Sequence, residues 1–274
     1  MKWRELLQKT LIHFFLIMTT KFTILGSGSS LGIPRIDGYF GKCNSKIKRN
    51  YRSRCSALIK GDNLNILIDT SPDLKSQLLK NKIKNIDKVF YTHKHGDQTH
   101  GINELRLFYL KNKKKLDIFA NKETSNYLLK SFAYCFENNY GYPAIFNLNQ
   151  LKKKHKFNSK KKTILIEPIK VQHGKISSIL YKINNSCAYA SDVSMIHNKD
   201  LSKLKNLKYL VVDCLRYDPH PSHFNLDDVL KLNNLIKPKN TILTNMNNEI
   251  DYLKVQKFLP KNVIPAYDGM SFLI

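Results

Sequence analysis

Between Tyr91 and Gly101 the chain places His93, His95, Asp97 and His100 in close succession. The first three form an H-x-H-x-D pattern just after the apolar run Val89-Phe90-Tyr91. Alternate residues at a strand end share a side, so two imidazoles can converge on one cation. Neutral imidazole suits zinc, and a carboxylate nearby adds negative charge and can hold a second ion. Four more polar residues end apolar runs. Asp69 closes Asn65-Ile66-Leu67-Ile68, His173 follows Ile169-Lys170-Val171-Gln172, Asp192 ends Ala188-Tyr189-Ala190-Ser191, and His223 follows Leu210–Asp213. Each alone reads as a surface loop residue or a strand cap. Together they place polar groups where sites on sheets collect, at the carboxyl ends of strands. The expected centre is a metal site of His93, His95, Asp97, His173 and Asp192.

The elements that must position these residues alternate along the chain. Strands are expected at Phe22–Leu25, Cys55–Lys60, Asn65–Asp69, Lys88–Tyr91 and Asp117–Ala120. Between them lie a helix capped by Ser71 with Pro72 at its first position, running to about Lys80, and helices over Thr99–Asn112 and Glu123–Phe136. The second half repeats the alternation. Its strands are Thr163–Val171, Ser178–Ile183, Cys187–Ala190, Tyr209–Cys214, Thr241–Leu243, Val263–Ala266 and Met270–Leu273, and its helices are Leu226–Ile236 and Tyr252–Phe258. Mixed strands with helices on outer faces predict an α/β (α+β) fold of two packed sheets flanked by helices. The lysine-rich stretches Lys111–Lys115 and Lys152–Lys162 read as solvated loops.

The string of Asp69, His93-x-His95-x-Asp97, His173 and Asp192 resembles the metallo-β-lactamase superfamily. Within it, the chain is most similar to the branch containing the phosphoribosyl cyclic phosphodiesterase of phosphonate breakdown. Supporting segments are Phe22–Pro34, Arg52–Ala57, Ile68–Pro72, His220–His223 and Pro265–Met270, so the likeness runs from about Thr19 to the C-terminus. It implies a single-domain, four-layer αβ/βα sandwich with metal at one edge. It also implies that His93, His95 and His173 hold one ion, that Asp192 bridges to a second held by Asp97, and that Asp69 orients the ligand loop. Asp97 and His223 are the implied catalytic groups, His223 protonating the leaving group. The chain departs from the pattern at Gln98 and at Asn245 or Asn247, where the superfamily has histidines. The expected cofactor is therefore zinc or manganese, with one tight site and a second that is weaker or absent. Gln98, Asn245 and Asp69 are weak or supporting positions, with His100 a lesser substitute ligand. Only Cys43 lies in the loop that carries a structural zinc in some relatives, so none is expected.

The remaining bounds are compositional. The chain has 274 residues, 42% of them hydrophobic, which suits a full globular core. The net charge of +25 comes mostly from lysine and reads first as a solvated lysine surface, with attraction to an anionic substrate or nucleic acid as the second reading. Five scattered cysteines without a C-x-x-C pair argue against a disulfide framework and for a reducing cytoplasm. No apolar run is long enough to cross a bilayer. Residues 1–17 are expected to be a non-native or disordered extension, with Met18 as the start of an 18–274 domain. The reading is hydrolysis of a small (cyclic) phosphodiester by metal-activated water, with Arg52 and Arg54 anchoring phosphate and a homodimer compatible with the sequence. The alternatives are an RNA-processing nuclease resembling the tRNA 3′-end endonucleases, and a non-enzymatic metal- or nucleic-acid-binding protein with a decayed second site.

Overall fold

The computed structural model describes residues 20–138, 141, 143–158 and 163–274. The expected 1–17 extension and Met18 start lie outside the described residues. Strands in the first half are β1 (Lys21–Gly26), β2 (Ser56–Lys60), β3 (Asn65–Ile68), β4 (Lys88–Phe90), β5 (Leu116–Ala120) and β6 (Phe146–Gln150). They are followed by β7 (His155–Asn158), β8 (Thr163–His173), β9 (Ile176–Ile183), β10 (Cys187–Ala190), β11 (Tyr209–Asp213), β12 (Asn240–Thr244), β13 (Val263–Pro265) and β14 (Ser271–Leu273). Two sheets result, ordered β14-β1-β2-β3-β4-β5-β6 and β13-β12-β11-β10-β9-β8-β7. Both follow one plan, a run of antiparallel pairs and then a run of parallel ones. The change of direction comes at β3 in one sheet and β10 in the other. Asp69 and Asp192 follow those two strands, so the carboxylates picked out in the sequence occupy corresponding places in the two halves.

Strand alternation builds the layers. Ala57, Ile59, Ile66, Ile68 and Phe90 face the second sheet, where Ile164, Ile166, Tyr181, Tyr189 and Val211 meet them. Leu58, Leu67, Val89 and Tyr91 point the other way, onto Leu74, Leu78, Phe108 and Leu128 of the helices Leu74–Lys80, Arg106–Asn112 and Lys122–Ser131. The second sheet is covered by Leu226–Ile236, through Val229, Leu232 and Ile236, and by Val255 of Tyr252–Gln256. This is the four-layer αβ/βα sandwich. Strands buried on both faces read as continuous apolar runs, and truncating one such residue to Ala costs about 2–5 kcal/mol.

Three expectations are corrected. Residues His155–Asn158, read as part of a lysine loop, form β7, because His155 and Phe157 turn inward against Phe90 while Lys156 between them faces out. The helix expected over Thr99–Asn112 is broken into short turns before Arg106. Gly101 donates its N–H to Thr70 O, and a Cβ there would lie 2.0 Å from Ser71 O, so the backbone passes where a helix with side chains could not. Ser71 does not cap the following helix at its first residue. Its hydroxyl accepts from Asp73 N and donates to Gln77 Oε1, and the helix begins at Leu74.

Candidate metal centre

Parallel pairing holds β4 between β3 and β5 to its carboxyl end, where Asp69 N donates to Phe90 O and Tyr91 N to Phe119 O. The chain then leaves the sheet at Thr92. Asp69, held at φ 61, accepts both Thr92 N and Thr92 Oγ1 at 2.8 Å, which fixes the start of the histidine loop. Thr92 O in turn accepts from Ile179 N of β9, tying this loop to the second sheet. His173 ends β8, and its Nδ1 donates to Ser222 O at 2.6 Å. Gly174 (φ +57) makes room for that contact, since a Cβ there would come within 2.8 Å of Ser222 Cβ.

The three rings meet. His93 Nε2 lies 3.0 Å and His173 Nε2 3.3 Å from His95 Nδ1. Their tautomers follow from the outer contacts. Thr92 Oγ1 gives its proton to Asp69, so it accepts from His93 Nδ1–H at 3.0 Å. His93 Nε2 and His173 Nε2 are therefore both lone pairs aimed at His95 Nδ1, and one proton there could serve only one of them. This donor set fits a shared cation. Burial holds His93 neutral, lowering it to about 3, and lowers His95 as well.

Next to this trio, Asp192 groups with His173 and His223. Burial works against its charge, but the rings of His93, His223 and His173 keep its carboxyl below the usual range. Asp97 lines the same cleft but joins neither ligand cluster among the described residues. Burial, and then the Asp192 charge, raise it to about 6. His223 Nδ1 is 2.7 Å from Asp213 Oδ2 and 3.8 Å from Asp192 Oδ1. Burial alone would lower His223, but the charge and hydrogen bond of Asp213 outweigh it, and the ring is raised to about 9.

The polar departures lie at the centre too. Gln98 and Asn245 are buried, and both turn amide nitrogen, not oxygen, toward Asp192. Asn247 instead pairs with Glu249 at the cleft wall. His100 bonds Tyr127 Oη and packs locally. Cys43 donates to the carbonyls of Asn248 and Ile250.

The arginines expected to anchor phosphate line a neighbouring cavity that shares Ser30, Leu31, Gly32 and Arg35 with the cleft. Arg54 spends its fork on Asp73, with both contacts at 2.8 Å. Arg52 is 1% exposed and reaches Asn247 O and Asn50 Oδ1 inside the fold. Neither lines the cleft over the histidines, which measures about 400 Å³. Arg35 does, with Ser29, Ser30, His220 and Asn248. Asp213 and Arg35 are the site groups that sequence reasoning missed. Asp213 carried the same signal as Asp69 and Asp192, a carboxylate ending an apolar strand. Arg35 carried none. The Gly26–Ser30 turn that forms the cleft wall is clamped by Asp268, which accepts from the N–H and hydroxyl of both Ser27 and Ser53.

A model of the beta-lactamase superfamily domain matches residues 64–246. A solved diphosphatase of the PhnP family is 28% identical, with a TM-score of 0.85 over 94% of this chain and 98% of that one. The short form of human tRNase Z is 16% identical over 92% of this chain and 98% of its own, with a TM-score of 0.66, which shows a shared fold alone. A protein of Porphyromonas gingivalis called octanoyltransferase is 28% identical over 92% of this chain. This chain spans about half of that relative, 51% of its length.

Proposed function

From this chain's membership of the beta-lactamase superfamily, whose fold and neighbours make it a metal-dependent hydrolase, we propose that it hydrolyses a small phosphodiester or phosphoanhydride, using an ion held by His93, His95 and His173 with Asp192 beside them. The observation that carries this reading is the convergence of His93 Nε2, His95 Nδ1 and His173 Nε2 at the floor of a cleft of about 400 Å³. A cleft of that size suits a small substrate, and the likeness to a diphosphatase supports a phosphate centre. Three imidazole nitrogens favour zinc over manganese. When bound, a divalent ion stabilises charge on phosphoryl oxygens and makes water nucleophilic at neutral pH.

The chain's own residues do the rest. Asp69 and Thr92 hold the His93 ring in the tautomer that presents Nε2. Ser222 O does the same for His173. Arg35, at the rim, attracts the anionic substrate. His223, oriented and kept protonated by Asp213, donates a proton to the leaving oxygen. All five cysteines are buried free thiols, in keeping with a reducing cytoplasm. Among the described residues no helix is long and apolar enough to cross a membrane.

The test is turnover of a panel by zinc-loaded protein: ribose cyclic phosphates, 2′,3′-cyclic nucleotides, diphosphate esters and tRNA precursor. Hydrolysis of a small ester, lost in His95→Ala, is expected. Cleavage of the tRNA precursor alone would replace this reading with the nuclease one, which the net charge of +25 permits.

A further inference from the structure

The two parts of the centre differ in what they lack. Around His93, His95 and His173, lone pairs face one another and want a cation. Around Asp97 and Asp192, the acceptors already meet donors. Asp192 Oδ2 accepts from Gln98 Nε2 at 3.1 Å, and Asp192 Oδ1 from Asn245 Nδ2 at 3.3 Å. Gln98 Nε2 also reaches Asp97 Oδ2 at 3.4 Å, and Asn245 Nδ2 reaches Asp213 Oδ1 at 3.1 Å. An amide NH₂ carries two protons, so each nitrogen can serve two carboxylates at once.

We infer that this centre is built for a single ion, the side-chain amides of Gln98 and Asn245 occupying the donor role that a second cation between Asp97 and Asp192 would otherwise fill. The inference rests on the metal reading of the histidine trio.

Orientation carries the argument. Turning the Gln98 amide over would set its oxygen against the oxygens of Asp97 and Asp192. Turning Asn245 would do the same against Asp192 and Asp213 and would forfeit the Cys55 Sγ–H contact to Asn245 Oδ1. These losses outweigh the one donor its oxygen would meet, His223 Nδ1–H, which lies 3.3 Å from Asn245 Nδ2 and is already given to Asp213. The Gln98 side chain is fully buried, and its Oε1 has no hydrogen-bond partner among the described residues. An unsatisfied buried acceptor is unfavourable, so the fold keeps this amide where it is for the sake of its N–H side. Asn245 sits at φ 58, a left-handed conformation that asparagine tolerates better than most side chains. A cation and an N–H compete for the same carboxylate lone pairs. A second ion would have to displace both amides from Asp192 and face their positive ends. Imidazole in their place presents a lone pair, which is why the departure from histidine changes the number of ions rather than only their affinity.

The experiment is metal stoichiometry, a readout independent of turnover. Wild type, Gln98→His/Asn245→His and His95→Ala are saturated with Zn²⁺ and separately with Mn²⁺, desalted, and assayed by mass spectrometry for metal per folded chain. A Co²⁺ titration is followed in parallel by its visible absorption. One ion per wild-type chain, a single step at one equivalent, and two ions in the double variant are expected. Two ions in wild type would overturn the single-ion inference and leave the histidine site standing. No ion in wild type would overturn the metal reading beneath it. A folded double variant that still holds one ion would overturn the role given to the amides. Should the double variant not fold, wild-type stoichiometry decides alone.

Discussion

His223 Nδ1 lies 2.7 Å from Asp213 Oδ2, and that same oxygen accepts the N–H of Val193, one residue after Asp192. Asp213 thus orients the proton donor and anchors the loop that carries Asp192. Asp213→Asn keeps the shape and removes the charge that holds the His223 ring protonated. It is expected to lower kcat by about a hundredfold on esters with poor leaving groups. On a p-nitrophenyl ester, whose leaving group needs no proton, the loss should shrink to a few-fold. Equal losses on both would remove His223 from the acid role.

The Asp69 side chain is fully buried and, among the described residues, accepts only from the Thr92 N–H and hydroxyl, while its backbone bonds Phe90 O and the Ser56 hydroxyl. Its side chain therefore acts on metal through the His93 ring. Asp69→Asn should weaken zinc binding by about 10–100-fold, as loss of a group behind a metal ligand does elsewhere. Competition against a chromophoric chelator measures it. Unchanged affinity would show that the Thr92–His93 contact does not set the ring.

How much of this was legible in the sequence depends on the range of the signal. His93 and His95 were legible because a strand end imposes local spacing. His173 and Asp192 were legible because each ends an apolar run. What was hidden is which way long or amide side chains turn. Arg54 precedes a strand and looks free, but Asp73, distant in sequence, captures it. Asn245 looked like a weak oxygen ligand, but Asp192 and Asp213 select its nitrogen. Strand β7 was hidden by the lysines around it, although His155 and Phe157 kept the period of two.

The Arg54–Asp73 pair gives a stability prediction with a definite sign. Burial raises the Asp73 carboxyl, but the hydrogen bonds and charge of Arg54 outweigh it and hold it below its ordinary value of 3.8. A carboxyl lowered in the folded state stabilises fully above the unfolded value, and the gain is lost as pH falls through the folded one. Asp73→Asn should cost about 1–2 kcal/mol near pH 7. The gap from wild type should close at a pH well below the ordinary 3.8. Urea melts at both pH values check this, and a gap independent of pH would assign the loss to packing.

Arg35 sits at the cleft rim over the Tyr39 ring, and its exposed fork pairs with Asp37 through Nε and Nη2, so it acts on substrate by charge and by exchange of that surface pair. Arg35→Ala is expected to raise KM about three- to tenfold for an anionic ester and to leave kcat nearly unchanged, the effect fading at high salt. Steady-state kinetics at two ionic strengths test it, and a fall in kcat alone would move Arg35 from attraction of substrate to the chemical step.

The central claim concerns atoms, so diffraction tests it most directly. Crystals of the zinc-loaded protein, measured at energies on either side of the zinc absorption edge, should show one strong anomalous peak touching His93 Nε2, His95 Nδ1 and His173 Nε2. A peak elsewhere, or a zinc-saturated crystal in which those nitrogens face no metal, would contradict the account.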